Sequence, residues 1–518
     1  MYLTQYLHRA LQQYPEKVAV RFGSRQRTFR EFADRVARLA GALQRVGMGE
    51  GDRVAMLALN SDRYLEYLMA VPWGGGVLNP CNTRWSVPEL VYALEDSGSA
   101  ILLVDDAFVQ AAEQLQRDAA CLRQIIYCGE GQAPAGMLDY ETLVRETEPV
   151  DDAVRRAEDL LGIFYTGGTT GFPKGVMRSH ISIGISALSL LSMGLSEAGD
   201  TYLHAAPMFH VADFGAALPH WIVGNTHSII PGFQPEAVLK AIEAHRVTST
   251  LLVPTMIQMM VDHPASQGRY DLSSLKTIAY GASPISGSVL ERAQRVLPGV
   301  GLVQVYGMTE IGPLTVNPPN YRPGLLPSPS KLTAAGCTGN CVELKIIDIH
   351  GQEVSRGTVG EIVVRGDMLM QGYWNKPEQT AEVIRNGWYY TGDGGYLDED
   401  GYLFIADRMK DMIVSGGENV YSAEVESAIS RHPAIASCAV IAVPHVQWGE
   451  AVHAVVVLAP GQTLTAAELI AHCKTLIAAY KCPASVAFVE ALPISGAGKV
   501  LKATLREPYW KDVTRSVA

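Results

Sequence analysis

An α/β fold of two or more domains is what this sequence predicts, and three observations predict it. Its 518 residues exceed the size at which a single hydrophobic core keeps growing. Its composition, 48% hydrophobic and 18% charged, is that of a packed globular chain rather than a disordered one. Short apolar runs recur between helical segments: "RVAMLAL", "AILLVDD", "LLGIFY", "STLLVP", "KTIAYGA" and "GLVQVYG". That alternation builds largely parallel sheets.

Each element follows from local chemistry. "TFREFADRVARLAGALQRVG" carries apolar residues at 29, 32, 36, 39, 43 and 46, a capping box from Thr28 to Glu31, and Gly47 beyond the end, which predicts an amphipathic helix. In "YTGGTTGFPKGVMRSH" (165–180), the preceding run "LLGIFY" and the following Ser-rich apolar segment "ISIGISALSLLSMGL" read as strand, loop, helix. From about 336 to 408 the texture changes to short β-rich runs with turn signals, which predicts an antiparallel or barrel-like subdomain. A compact α/β tail follows, with the boundary near 408–411. Residues 411–518 hold eight Lys and Arg against nine Asp and Glu, so nearly all of the acidity lies in the larger part.

The bulk numbers exclude several function classes. A net charge of −11 with no basic run argues against a nucleic-acid partner. The eight cysteines form no C-x-x-C pair, and Cys337 with Cys341 lacks a second pair to complete a metal site, so all eight read as reduced thiols of a cytoplasmic protein. The N-terminus has no basic region followed by an apolar core. The stretch 181–195 is too short for a membrane span and is expected to be a buried helix, leaving at most peripheral membrane contact.

The loop at 165–180 has its own chemistry. Glycines turn backbone N–H groups inward, threonine hydroxyls add donors and Lys174 adds a charge, so the loop suits a polyphosphate. It is not the nucleoside-triphosphatase loop, because Pro173 precedes Lys174 and Gly175 follows it. Four further segments stand where strand ends or loops would project into a cleft: "VYGMTE" (305–310), "WYYTGD" (388–393), "DRMKDMIVSGGENVYSAEVE" (407–426) and "PISGAGKVLK" (493–502). With these five motifs in this order over essentially the whole chain, the sequence resembles the adenylate-forming superfamily of acyl-CoA synthetases, peptide-synthetase adenylation domains and luciferases. It is most similar to a fatty acyl-CoA synthetase.

The resemblance implies a large N-terminal domain (1–409) of two α/β subdomains plus the β-rich subdomain, and a small mobile C-terminal domain (410–518). It implies ATP, Mg²⁺ and CoA as cofactor and co-substrates. Thr166, Gly167, Gly168, Thr169, Thr170, Gly171 and Lys174 would hold the β- and γ-phosphates, with Thr309 reaching phosphate oxygens and Glu310 holding the metal. Tyr306 would stack on adenine beside Gly281, Ala282, Ser283 and Gly307. Asp393 would accept from the ribose hydroxyls with Arg408 nearby. Lys499 would bridge the carboxylate and the α-phosphate during adenylation. Ser415, Gly416, Gly417 and Glu418 would line the CoA path, and Lys410 would be the hinge. Trp448 is similar to a tryptophan beside that path, the alternative being a surface aromatic. Lys481, in "AYKCP", is left without a role.

The segment "APMFHVADFG" (206–215) resembles the one that gates the acyl pocket, with His210, Val211, Gly281 and Ile311 on its wall. Peptide-synthetase domains carry Asp where His210 stands, so the acid is expected to lack an α-amine. Small or apolar wall residues suit a medium- or long-chain fatty acid, with an aryl acid next. Asp213 is open between facing solvent, capping a helix and touching substrate. A stand-alone enzyme loading a carrier protein is the alternative acceptor reading, and the resemblance allows a homodimer.

Overall fold

The computed structural model describes residues 1–167, 173–283, 285, 287–317, 331–408, 411–416, 418–494 and 500–511. Among them, four sheets organise the chain. All six apolar runs singled out in the sequence are strands in the two large mixed sheets.

The nine-stranded sheet has a parallel centre. Gly301–Met308, Thr277–Gly281, Ser249–Leu252, Thr201–His204, Thr226–Ile229 and Val18–Phe22 lie side by side, and antiparallel strands Gly312–Val316 and Arg25–Thr28 flank them. The eight-stranded sheet runs parallel from Leu160–Thr166 through Val77–Pro80, Arg53–Leu57 and Ile101–Val104. Helix Phe29–Arg45 forms as its pattern predicts. Thr28 and Glu31 make the reciprocal capping box, and Phe29, Phe32, Val36, Leu39 and Leu43 are fully buried. Each such side chain contributes about 1.5–3 kcal/mol relative to exposure. Phe29 meets Trp221 edge-on and Phe32 stacks on it, so the helix spans both large sheets' cores.

The β-rich stretch forms an antiparallel sheet from Glu343–Ile347, Gly360–Arg365, Trp388–Leu397, Ile384–Arg385 and Leu403–Arg408. Two of its short strands leave it. Cys337–Thr338 joins the edge of the nine-stranded sheet and Gly372–Tyr373 the edge of the eight-stranded sheet. The fourth sheet, built around Gly449–Leu458 and Ile435–His445, belongs to the C-terminal part with its own apolar cluster. All eight cysteines carry free thiols. Among the described residues, no helix is long and apolar enough to cross a membrane.

One local expectation is corrected. The glycine-rich loop does not lead directly into a helix: Leu160–Thr166 and Lys174–Ser179 pair antiparallel, Thr166 opposite Lys174, and the helix begins only at His180. The two described ends of the loop, Thr166 and Lys174, are therefore paired strand residues, and a strand separates the loop from the helix.

Candidate active site

The hairpin brings Thr166 and Lys174 together at the root of the loop, and a Cβ on Gly167 would meet nothing within 4 Å. Residues 168–172, which include the predicted Gly168, Thr169, Thr170 and Gly171, lie outside the described residues. Lys174 Nζ stands 4.9 Å from the centre of the Tyr373 ring. The Tyr373 hydroxyl donates to Glu310 Oε1 at 3.0 Å, and Met370 N donates to the Glu310 carbonyl at 2.7 Å. Tyr373 thus sits between the loop lysine and the predicted metal-binding carboxylate. Its strand adds to the hairpin opposite Val176.

Thr309 and Glu310 form the turn between Gly301–Met308 and Gly312–Val316. Behind that turn lies Arg178, 0% exposed and the largest of the fully buried side chains. Its Nη1 donates to the Thr309 carbonyl at 2.8 Å. Nη2 reaches the carbonyls of Met368 at 3.1 Å and Ile311 at 3.4 Å, and Nε and Nη2 reach the hydroxyls of Ser182 and Ser186, both at 3.1 Å. Burial pulls the guanidinium down to about 10, with the Glu310 carboxylate opposing that shift. Gly312 has φ +93°, and a Cβ there would lie 2.6 Å from Ser186 Oγ, so the turn can pack against this cluster only with glycine at that point.

A second group converges from three strands. Tyr306 donates its hydroxyl to Asp393 Oδ2 at 2.7 Å, and Arg408 Nε lies 3.2 Å from Asp393 Oδ1. Burial, then Asp393, holds the Tyr306 phenol well above its ordinary range. Asp393 is almost fully buried, which positions a carboxylate acceptor on a rigid pair of strands. Ala282, a non-glycine residue at φ +69°, turns the chain just after Thr277–Gly281 and so sets where Ser283 begins. Gly281 and Gly307 have a tighter reason for being small than a pocket wall. A Cβ on either would lie 2.1 Å from a neighbouring carbonyl oxygen, Val305 for the first and Gly312 for the second.

His210 caps helix Val211–Val223, its Nδ1 accepting from Ala212 N at 3.2 Å. Val211, Ala212, Gly215 and Ala216 form the helix face that keeps partial exposure. Ile311 does not belong to that wall. It has no exposed surface and packs with Val176 and Leu314 in the core under the β-rich sheet, because the turn at 309–311 directs it inward.

Asp213 points the other way from the open face and is 1% exposed. It accepts from Tyr202 OH at 3.1 Å and pairs with His204 Nδ1 at 2.6 Å, while His204 Nε2 meets His227 Nδ1 at 3.0 Å. His227 stacks on Trp221 of the same helix at 4.1 Å. None of the three openings left for Asp213 by sequence describes it: it anchors the helix to two strands from inside.

In the C-terminal part, Ser415 pairs with Glu418 across a tight turn, and Gly416 has φ +61°. Gly416 N donates to the Trp448 carbonyl at 3.0 Å, and Trp448, 43% exposed, stacks on His445. Of the predicted CoA-path residues, Ser415, Gly416, Glu418 and Trp448 are thus neighbours at one edge. Lys481 is tied to Glu424 at 2.8 Å. Gly417, the predicted hinge Lys410 and the predicted catalytic Lys499 lie outside the described residues. Sequence reasoning missed Arg178 and Tyr373.

The profile of the AMP-binding enzyme family matches residues 7–374, and that of the AMP-binding enzyme C-terminal domain matches residues 424–499. The chain is 39% identical over 457 residues to a feruloyl-CoA synthase of Amycolatopsis sp, covering 88% of each. It is 36% identical over 468 residues to a fatty acid–[acyl-carrier-protein] ligase of Streptomyces coeruleorubidus, covering 89% of this chain and 87% of the relative. Among solved structures it resembles ATP-bound MatB from Rhodopseudomonas palustris, with a TM-score of 0.88, 30% identity and 99% of each chain covered.

Proposed function

The chain belongs to the AMP-binding enzyme family, and from that premise we propose that it is an AMP-forming acyl-CoA synthetase acting on a hydrophobic carboxylic acid without an α-amine, in the first place a medium- or long-chain fatty acid. The observation that carries the reaction class is the convergence of Lys174, Tyr373, Glu310, Tyr306, Asp393 and Arg408 from five separate segments.

A carboxylate is a poor electrophile, and attack by its oxygen on the α-phosphorus of ATP gives an acyl-adenylate and pyrophosphate. Charge builds on phosphoryl oxygens, so fixed donors and cations aimed at them supply most of the acceleration. Lys174 would meet the leaving phosphates, Asp393 would accept from the ribose, and Tyr306 would lie beside the adenine. The hard carboxylate oxygens of Glu310 suit Mg²⁺ and would hold it, and the ion would supply positive charge against the departing pyrophosphate. Lys499 bridges the acid and the α-phosphate. After pyrophosphate leaves, rotation about Lys410, at the division between 1–409 and 410–518, exchanges Lys499 for the turn at 415–418, and the CoA thiol displaces AMP.

The helix Val211–Val223 supports this choice of acid. Its one acidic residue, Asp213, is turned into the core and held by Tyr202 and His204, which leaves no carboxylate on the open face to meet an ammonium group. The small side chains of Ala212, Gly215 and Ala216 beside Val211 leave room for an apolar chain. A second reading, an aryl acid, is favoured by the likeness to a feruloyl-CoA synthase, and a carrier protein as acceptor by the likeness to a fatty acid–[acyl-carrier-protein] ligase.

A pyrophosphate-release screen from acetate to stearate, with benzoates and cinnamates, with and without CoA, tests the proposal. The expected result is turnover with the longer aliphatic acids and acyl-CoA with AMP once CoA is present. Turnover with cinnamates alone moves the assignment to the aryl reading. Activity confined to amino acids, or no AMP with any acid, overturns it.

A further inference from the structure

We propose that Arg178 is a positioning residue for adenylation: buried behind the Thr309–Glu310 turn, it fixes the direction in which Glu310 presents its carboxylate. This rests on the adenylation reading above and adds to it a residue of the 165–180 segment to which the sequence assigned no role.

The geometry is unusual for a buried charge. Among the described residues, Arg178 makes no ion pair, and its hydrogen-bond partners are neutral: the carbonyls of Thr309, Ile311, Met368 and Ser182 and the hydroxyls of Ser182 and Ser186. Taking a cation out of water costs several kcal/mol even after relaxation, and an apolar side chain of similar volume would fill the same space at lower cost. A guanidinium does what such a side chain cannot, because its planar fork sends donors in several directions at once.

Those directions matter. Thr309 and Ile311 are the residues on either side of Glu310, and holding both carbonyls fixes the orientation of the residue between them. A third carbonyl, that of Met368, belongs to the segment that carries Met370 and Tyr373, whose N–H and hydroxyl meet the Glu310 carbonyl and carboxylate. One guanidinium therefore ties together the strand Lys174–Ser179, the turn that carries Glu310, and the segment that hydrogen-bonds Glu310 through Met370 and Tyr373. The glycine at 312, required by the close approach of Ser186, lets the turn sit down on this cluster. A positive charge behind the turn also opposes the repulsion between the Glu310 carboxylate and incoming phosphates.

The consequence is specific to one half-reaction. Glu310 acts while pyrophosphate is leaving, whereas transfer of a preformed acyl-adenylate to CoA does not involve the departing phosphates. Arg178→Lys keeps the charge but cannot span the three carbonyls. Arg178→Met keeps the volume without donors. Each is compared with the unsubstituted protein in four measurements: pyrophosphate release, acyl transfer to CoA from supplied acyl-adenylate, calorimetric affinity for ATP with and without Mg²⁺ and for AMP, and thermal unfolding.

In Arg178→Lys, pyrophosphate release is expected to fall about 100-fold, the scale of losing one well-placed group. The tightening of ATP binding by Mg²⁺ shrinks, while AMP affinity and acyl transfer from the adenylate stay unchanged. Should Arg178→Met fail to fold, Arg178→Lys alone carries the comparison. A parallel fall in both half-reactions overturns the proposal and leaves Arg178 as scaffold, and so does an unaltered response to Mg²⁺. If the unsubstituted protein yields no AMP from any acid, the adenylation reading itself falls and this proposal with it; the control thereby separates the two failures.

Discussion

The two walls of the candidate cleft are anchored by buried charges of opposite sign. Behind the phosphate wall, Arg178 is surrounded by neutral carbonyls and hydroxyls. Behind the acyl wall, Asp213 has a partner of the other type, His204, and a phenol, Tyr202. The first arrangement leaves a net field directed at Glu310 and orients a turn; the second closes on itself and fastens a helix. A charge left without a counter-charge acts on its neighbours, whereas a paired one mainly holds them. Function is therefore expected to be sensitive at Arg178 and stability at Asp213.

The largest effect that sharpens this contrast is Asp213→Ala. Removing the carboxylate strands Tyr202 and His204 in a dry interior, and breaking a buried pair in this way costs about 3–5 kcal/mol. Urea unfolding measures it, and a loss below about 1 kcal/mol, the ordinary range of a point substitution, would mean that the helix is not anchored there. Asp393→Ala comes next. It removes the acceptor for Tyr306 and the partner of Arg408, and a hydrogen bond to a charged group is worth about 1.5–3 kcal/mol. AMP affinity should weaken by about 10- to 100-fold in calorimetry; unchanged AMP binding would remove Asp393 from the nucleotide site.

An effect spread over the acid range concerns a further titratable group behind the acyl wall. His220, on the same helix, is hydrogen-bonded to Ser196 and Asn225, and burial lowers it from 6.5 to about 3. Between those two values the unfolded chain binds a proton that the folded chain does not. Stability is fully present above pH 6.5, falls as pH drops toward 3, and loses nothing further below. The slope is about 1.4 kcal/mol per pH unit for this one group. His220→Gln should flatten the acid limb of stability against pH by that amount; an unchanged limb would show that His220 takes up its proton without unfolding.

What could be read in advance follows the range of the interactions involved. The six strand runs and the helix at 29–45 are legible because period and capping act within a few residues. The strand Lys174–Ser179 is not, because it is buried at two positions in every three rather than alternately, as suits a short strand flanked on both sides. Arg178 reads locally as a solvated arginine after a loop. Its burial is created by segments 131 and 190 residues away, and no window of sequence contains them. Tyr373 is likewise 63 residues from Glu310. Asp213 differs, since its partners are close in sequence. Tyr202 and His204 sit two apart on a strand and so face one side, and this alternation was a usable signal that the carboxylate nine residues on would turn inward.

The smallest expected change separates the two faces of the gate helix. Gly215 lies within Val211–Val223, where glycine is about 1 kcal/mol worse than alanine, yet a Cβ there would meet nothing within 4 Å. Gly215→Ala should therefore raise stability by about 0.5–1 kcal/mol, opposite in sign to Asp213→Ala two residues earlier. Gly215→Leu extends the same probe into the open space. If the acyl chain occupies that space, the KM for the longest accepted acid rises while that for the shortest stays where it was, and MgATP binding is untouched. Equal effects on all chain lengths would place the chain elsewhere and leave the glycine unexplained. The helix would then be anchored on its buried face, as Asp213 shows, without its open face contributing to the choice of acid.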